Sequence, residues 1–127
     1  MKSYYGQIEQ ETLANENFRQ VIFTGAHSQL VLMCLKAGEE IGLEVHGDVD
    51  QFFRFEQGEG RVVIAGQEFS VKDGDAAVVP AGSEHNVINT GAGDLKLYTI
   101  YSPANHPEGT VHKTKAEADA AEAGHHQ

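Results

Sequence analysis

Four side chains from two separate stretches carry the chemistry that this sequence could perform: Glu44, His46, Gln51 and His85. Glu44 and His46 stand two residues apart in the run GEEIGLEVHG, and in a β-strand such side chains leave the same face. A turn over 47–50 should reverse the chain and bring Gln51 back beside them. His85, from the later run GDAAVVPAGSEHNVIN, is the fourth candidate donor. Because unsatisfied polar groups pack poorly inside a sheet, we expect a metal ion among these four.

This donor set favours a divalent transition metal. Two imidazoles and one carboxylate leave adjacent coordination sites open on Fe(II), and the same nitrogen and oxygen donors suit Mn, Ni, Co or Zn. The amide oxygen of Gln51 is a weak neutral donor that a substrate could displace. The alternative is a metal-free pocket in which Glu44 and Gln51 hydrogen-bond each other and His46, with water filling the remainder.

The elements that must position these donors are short β-strands. From about residue 20 to residue 102 the chain consists of roughly nine runs rich in Val, Ile, Leu, Phe and Tyr, each closed by a turn containing Gly, Asp, Asn or Pro. Nine short strands without an intervening helix indicate an all-β sandwich or closed barrel. The alternation over 51–56 predicts that Gln51, Phe53 and Phe55 share one face. The runs 62–64 and 76–79 do not alternate, which predicts strands covered on both faces.

The two ends of the chain have a different character. Residues 1–19 are polar, and the pattern leaves open an arm, an edge strand or a short helix around 9–17. Residues 103–127 read as a surface loop followed by a tail, where Thr114 and Glu117 have capping-box spacing for a short helix. A frayed tail is the alternative. The terminal pair at 125–126 is expected to be exposed to solvent.

Composition bounds the class of protein. The chain has 127 residues, which suits one domain, 1–127. Its formal net charge of −10 disfavours nucleic acid and anionic membranes as partners. The single cysteine, Cys34, lies in an apolar run and is expected to be a buried small hydrophobe. With no secretory signal and no apolar run near the roughly 20 residues that a membrane span needs, a cytoplasmic location is expected.

The spacing of the two stretches is similar to that of a known family. Gly38 is followed after five residues by Glu44, then His46, Gln51 and, after six more residues, Gly58. The later run places Gly74, Pro80, Gly82, His85 and Asn89 at the defining positions of a second motif. The chain thus resembles the cupin superfamily, small RmlC-like jelly rolls, over about residues 20–102.

The resemblance implies a single-domain jelly-roll β-barrel with a metal shell. The usual shell of that family is three histidines and one glutamate. In this chain Glu44 stands at the first histidine position and Gln51 at the glutamate position, while His46 and His85 keep the usual type. The set keeps a single negative charge, because the carboxylate has changed place and has not been lost.

The sequence leaves the reaction open between three hypotheses. The first is a metal-dependent enzyme that acts on a carbohydrate-derived or hydroxy/keto acid by isomerisation or lyase chemistry, through Lewis-acid polarisation of a carbonyl. The second is a non-enzymatic module that binds a small sugar or acid, and the third is an Fe(II)-dependent dioxygenase. Candidates for proton transfer are His106, Tyr98 and Tyr101; His112 could also fold over the barrel mouth. We further expect a homodimer, through exposed sheet edges or an N-terminal arm exchanged as a strand.

Overall fold

Nine strands and two helices make up the part of the chain that the computed structural model describes, residues 2–125. In chain order they are α1 (Ile8–Ala14), β1 (Arg19–Thr24), β2 (Gln29–Leu35), β3 (Asp50–Gln57), β4 (Glu59–Ile64), β5 (Gln67–Lys72), β6 (Ala76–Val79), β7 (His85–Asn89), β8 (Leu95–Ser102), β9 (Val111–His112) and α2 (Lys115–His125). The prediction for the pair at 125–126 lies outside the side chains that the structure describes.

The strands form two antiparallel sheets. One has six strands in the order β6-β3-β8-β2-β1-β9, and the other has three in the order β5-β4-β7. Strands that follow one another in sequence are often not neighbours: β2 and β3 are separated in one sheet, and β6 and β7 lie in different sheets, as in a jelly roll. The predicted all-β jelly-roll fold is confirmed.

The core lies between the inner faces of the two sheets. Phe53, Phe55, Val62, Val87 and Leu97 are fully buried there. On β3 the predicted alternation is confirmed, because Gln51 joins Phe53 and Phe55 on the buried face. The inner face is therefore apolar except at one end, and Gln51 marks that end.

The N-terminal segment is a helix and not a strand. α1 packs against β8, β3 and β2 of its own chain, on the outer face of the six-stranded sheet. Lys96 Nζ donates a hydrogen bond to the carbonyl oxygen of Leu13 at 2.6 Å and ties the helix to β8. Cys34 is 2% exposed, as predicted. The structure thus favours the helix among the three alternatives for residues 1–19.

Two predictions about strands are wrong. The run 76–79 is not covered on both faces, since β6 is an edge strand whose Val78 is 62% exposed. The run 41–47 is not a ladder strand; it makes an isolated bridge at Glu44, and Glu40 just before it makes another. Gly42, with φ +108, interrupts the extended conformation there, because this backbone region is closed to regular strands.

The C-terminal segment is part of the architecture around the site. β9 pairs with β1, with Arg19 opposite His112. α2 follows at once, and Glu117 N–H donates to Thr114 Oγ1 at 3.1 Å, which is the cap that the spacing predicted. No helix among residues 2–125 is long and apolar enough to span a membrane.

Candidate metal centre

The candidate donors meet across the two sheets and not along one hairpin face. Gln51 lies on β3, opposite Val79 and Tyr101, and does not pair with Glu44. The segment that carries Glu44 instead runs beside β7, where Glu44 bridges His85. The predicted hairpin over 47–50 is therefore wrong as a pairing, although its three donors still converge with His85. The packing of one sheet over the other brings Gln51 to the other donors, which the hairpin was expected to do.

Three of the four donors form a compact cluster. The ligand atoms of Glu44, His46 and His85 all lie within 4.8 Å of one another. His46 Nε2 is 3.6 Å from Glu44 Oε1, and the side chains are only 13% and 14% exposed. His85 is more deeply buried, at 3%. These two imidazoles and one carboxylate could hold a metal ion.

Gln51 supplies an oxygen at the same place. Its Oε1 is 3.1 Å from His85 Nε2, and its Nε2 donates to Thr99 Oγ1 at 3.0 Å. The bond to Thr99 fixes the amide so that the oxygen faces the cluster. Gln51 is 2% exposed, so bulk water does not compete for that oxygen.

The hydrogen bonds of the two histidines fit a bound cation. His85 Nδ1 must donate to the carbonyl oxygen of Ser83, 3.0 Å away, because a carbonyl only accepts. In a neutral ring Nε2 then carries a lone pair, which faces the oxygen lone pairs of Gln51. His46 Nε2 is buried with no hydrogen-bond partner among the described residues. A cation between these atoms would satisfy both, and the Ser83 contact is the support that metal-bound histidines commonly have.

Electrostatics keep the carboxylate ready to bind a cation. Burial raises the pKa of Glu44, but the neighbouring His46 and the charge of Arg19 outweigh it and lower the pKa below the ordinary value of 4.5. Glu44 is therefore ionised at neutral pH.

Two of the three predicted proton-transfer candidates lie at the site. Tyr101 is buried on the inner face of β8, with its ring centroid 5.9 Å from that of His46. Its hydroxyl is 3.2 Å from His106 Nε2. Tyr98 is on the other face of β8, where its ring lies 6.3 Å from Phe52. The inclusion of Tyr98 was wrong, because odd spacing along a strand places it opposite to Tyr101.

A cavity of about 660 Å³ opens onto the cluster. Glu44 and His46 form one side, and the segment 105–112 with α2 forms the other. His106 and His112 both line it, so the loop after β8 walls the cavity and does not run over a remote surface. Burial, aided by the charge of Arg19, lowers the pKa of His106 to about 3 and leaves its ring neutral at ordinary pH.

Sequence reasoning missed Arg19. The predicted barrel began at about residue 20 and left Arg19 in the N-terminal segment, whereas Arg19 opens β1 and lines the cavity. The available signal was its spacing from Val21, since two residues along a strand share a face. A buried Val21 implies an inward Arg19.

Comparison with known proteins identifies a matching family and several similar proteins. The family model of the Cupin domain matches residues 31–101. The chain is 52% identical to YrkC of Bacillus subtilis (strain 168), over 95% of this chain and 68% of that protein. The crystal structure of BH2720 from Bacillus halodurans is 46% identical with a TM-score of 0.92, covering 94% of this chain and 95% of that one. A predicted oxalate decarboxylase from Thermotoga maritima is 26% identical with a TM-score of 0.58, over 60% and 66% of the two chains.

Proposed function

Since the chain belongs to the cupin family, we propose that it binds a divalent metal through Glu44, His46, Gln51 and His85 and acts there on a small molecule. The reaction class that we propose is isomerisation or lyase chemistry on a carbohydrate-derived or hydroxy/keto acid. The observation that carries the proposal is a pair of buried imidazole nitrogens without a matching hydrogen-bond donor among the described residues. His46 Nε2 lies 3.6 Å from Glu44 Oε1 and makes no hydrogen bond, and His85 Nε2 faces Gln51 Oε1. Fe, Mn, Ni, Co and Zn all suit these donors.

The metal would supply Lewis acidity, which polarises a carbonyl oxygen and stabilises charge that develops on it. The rest of the chemistry falls to the chain. His106 lines the cavity beside the donors, and Tyr101 occupies one of its ring nitrogens. The other nitrogen of a neutral imidazole is left to exchange a hydrogen bond with a bound molecule. We assign to His106 the positioning of the substrate's reacting hydroxyl or carbonyl, with Tyr101 fixing the ring.

The surroundings support a small-molecule reaction. Gln51, His85 and Tyr101, which contact the residues of the candidate centre or its surroundings, are almost fully buried, so water is limited around them and electrostatic interactions there are strong. One structural relative is described as a predicted oxalate decarboxylase, and oxalate is a small carboxylic acid. That relative supports lyase chemistry on an acid as the first class to test.

Elemental analysis tests the metal part of the proposal. Protein purified without added metal should carry about one divalent ion per chain, and His46→Ala should lose it. His27→Ala, which removes an exposed imidazole in the loop after β1, is the matched control and should retain the metal. Metal below trace level in the wild type, together with no uptake from added Mn(II), Fe(II) or Zn(II), would overturn the proposal.

Deuterium exchange tests the reaction class. Isomerisation and β-elimination both move a proton beside a carbonyl, so the loaded enzyme should catalyse exchange of that proton in D₂O, followed by NMR on a panel of 2-hydroxy acids, 2-keto acids and aldoses. Binding with neither exchange nor release of CO₂ would favour the non-enzymatic module. Oxygen uptake that requires added Fe(II) would favour the dioxygenase.

We also propose that two copies associate through the outer face of the six-stranded sheet. Val78, Phe52 and Ile100 stand opposite one another on β6, β3 and β8 and form an apolar row without charges. In a chain of net charge −10, repulsion between like charges opposes association, and an uncharged contact minimises it. Light scattering that shows only a 13.8 kDa species would exclude this dimer. The cytoplasmic location stays a prediction.

A further inference from the structure

Arg19 is a buried cation at the wall of the cavity. It opens β1, is 4% exposed and lines the same cavity as Glu44 and His46. Its guanidinium lies over the ring of Phe18, 5.3 Å from the centroid, which fixes the plane of the group. The side chain is therefore held in place before any molecule enters the cavity.

The guanidinium has no carboxylate partner among residues 2–125. Its Nε is buried without a hydrogen-bond partner, and its Nη1 contacts only the ring of His112, 3.3 Å away. The chain has 19 acidic and 9 basic residues, so carboxylates are not scarce. Glu44, which lines the same cavity, is influenced by the charge of Arg19 but forms no salt bridge with it. Because a buried charge without a directly bound counter-ion is costly, this arrangement is expected where an anion from outside completes the site.

His112 extends the same donor surface. β9 places it directly opposite Arg19, and it also lines the cavity. Arginine only donates, so His112 Nδ1 accepts, and in a neutral ring the proton is then on Nε2. Burial and the charge of Arg19 lower the pKa of His112, which keeps the ring neutral near pH 7. The pair thus offers a guanidinium and an imidazole N–H.

We propose that Arg19, supported by His112, binds the carboxylate of the molecule whose other end lies at the candidate metal centre. This assignment rests on the proposed function for the end at the metal, and it selects small hydroxy or keto acids over neutral sugars. A guanidinium presents paired N–H donors in the geometry that a carboxylate accepts. Arg19 and the candidate ligands Glu44 and His46 line one cavity of about 660 Å³, which is large enough for one small molecule to reach both ends.

Calorimetric titration tests the assignment with glycolate, pyruvate, inorganic phosphate and, as an uncharged analogue, ethylene glycol. Each is titrated into the Mn(II)-loaded and the chelator-treated forms of the wild type, Arg19→Met and Arg19→Lys. We expect the carboxylates to bind and Arg19→Met to weaken them by about tenfold or more, since a hydrogen bond to a charged group is lost. Arg19→Lys keeps the positive charge but lacks the paired N–H donors of the guanidinium, so its carboxylate affinity should be intermediate. Ethylene glycol should not bind.

Arg61→Met is the matched control. It removes an arginine that pairs with Glu68 at 2.9 Å on the three-stranded sheet, and it should leave the carboxylate affinities unchanged. Thermal unfolding gives a second readout: without ligand, Arg19→Met should melt at or above the wild-type temperature, because an unpaired buried charge is removed.

The outcomes separate this inference from the proposed function. Carboxylate binding that depends on Arg19, in protein that takes up no metal, would support the inference and contradict the metal proposal. Metal uptake together with a carboxylate affinity that Arg19→Met leaves unchanged would support the metal proposal and contradict the inference. Binding of phosphate alone, binding of none of the probes, or a lower melting temperature for ligand-free Arg19→Met would each overturn the inference.

Discussion

The backbones of Glu44 and His85 exchange two hydrogen bonds, each with an N–O distance of 2.9 Å. This pairing joins the two sequence stretches at the residues that carry the candidate ligands. A third bond, from Gly82 N–H to the carbonyl oxygen of His46 at 2.8 Å, ties the turn before β7 to the same segment. The positions of Glu44, His46 and His85 are thus set by one local contact between two loops.

Gly82→Ala should destabilise the protein through that turn. Ser83 N–H donates to the carbonyl oxygen of Pro80 at 3.1 Å, and Gly82, with φ +84, is the third residue of a type II turn. A Cβ there would meet open space, so the cost is conformational, about 1–2 kcal/mol of unfolding free energy in urea titrations. Gly93→Ala, also in open space, is the control and should stay within about 0.5 kcal/mol. Equal effects of the two substitutions would contradict the prediction.

Gln51→Leu should weaken metal binding. The substitution removes the oxygen that lies 3.1 Å from His85 Nε2 and leaves Thr99 Oγ1 without its donor. We expect the Zn(II) affinity, measured by competition with a chelating dye, to fall by about tenfold or more. Gln51→Glu adds a carboxylate at the same position and should bind Zn(II) more tightly than the wild type. An unchanged affinity in Gln51→Leu would exclude Gln51 from the shell.

Much of this site could be predicted from sequence, because its ligand types and spacings are local properties. The second stretch illustrates this point: Asn89 stands at a defining position of its motif, and its Nδ2 donates to the carbonyl oxygens of Leu35 and Gly93. The partner of Glu44 could not be predicted from spacing. Nearness in sequence favoured a hairpin with Gln51, whereas the jelly-roll topology pairs Glu44 with His85.

The residues of the cavity wall could not be predicted from the sequence for the same reason. Arg19 and His112 are 93 positions apart, and only the pairing of β9 with β1 brings them together. A two-residue strand has no periodicity to detect. Burial of the edge strand β6 was overpredicted because an apolar run does not show whether a second layer covers it.

His106 should make stability fall in acid. Burial lowers the pKa of His106 from 6.5 to about 3, with a smaller contribution from the charge of Arg19. Between these values the unfolded chain binds a proton that the folded protein does not, so stability is full above pH 6.5 and is lost as the pH falls towards 3. In chelator-treated protein, the wild type should lose about 1.4 kcal/mol more per pH unit near pH 5 than His106→Gln does. Both should show the same slope above pH 7, and parallel curves throughout would contradict the prediction.

Gln29→Leu should release the loop that walls the cavity. Gln29 is fully buried on β2 and makes four hydrogen bonds, three of them to that loop. Its Nε2 donates to the carbonyl oxygen of His106 and to Thr24 Oγ1 on β1, and its Oε1 accepts from the N–H groups of Asn105 and His106. Leucine has a similar volume but none of these groups, so buried backbone donors lose their acceptor. We expect a loss of about 3 kcal/mol in unfolding free energy.

Hydrogen exchange separates release of the loop from general destabilisation. Under native conditions Gln29→Leu should accelerate exchange of the amides of residues 105–110 more strongly than those of β3 and β8, because their acceptor is the group removed. Gln67→Leu, an exposed glutamine at the start of β5, should change neither stability nor exchange. Uniform acceleration across the sheets would show that Gln29 holds the core and not the loop. Unchanged exchange at 105–110 would show that the contacts with Arg19 and β9 suffice to hold the wall in place.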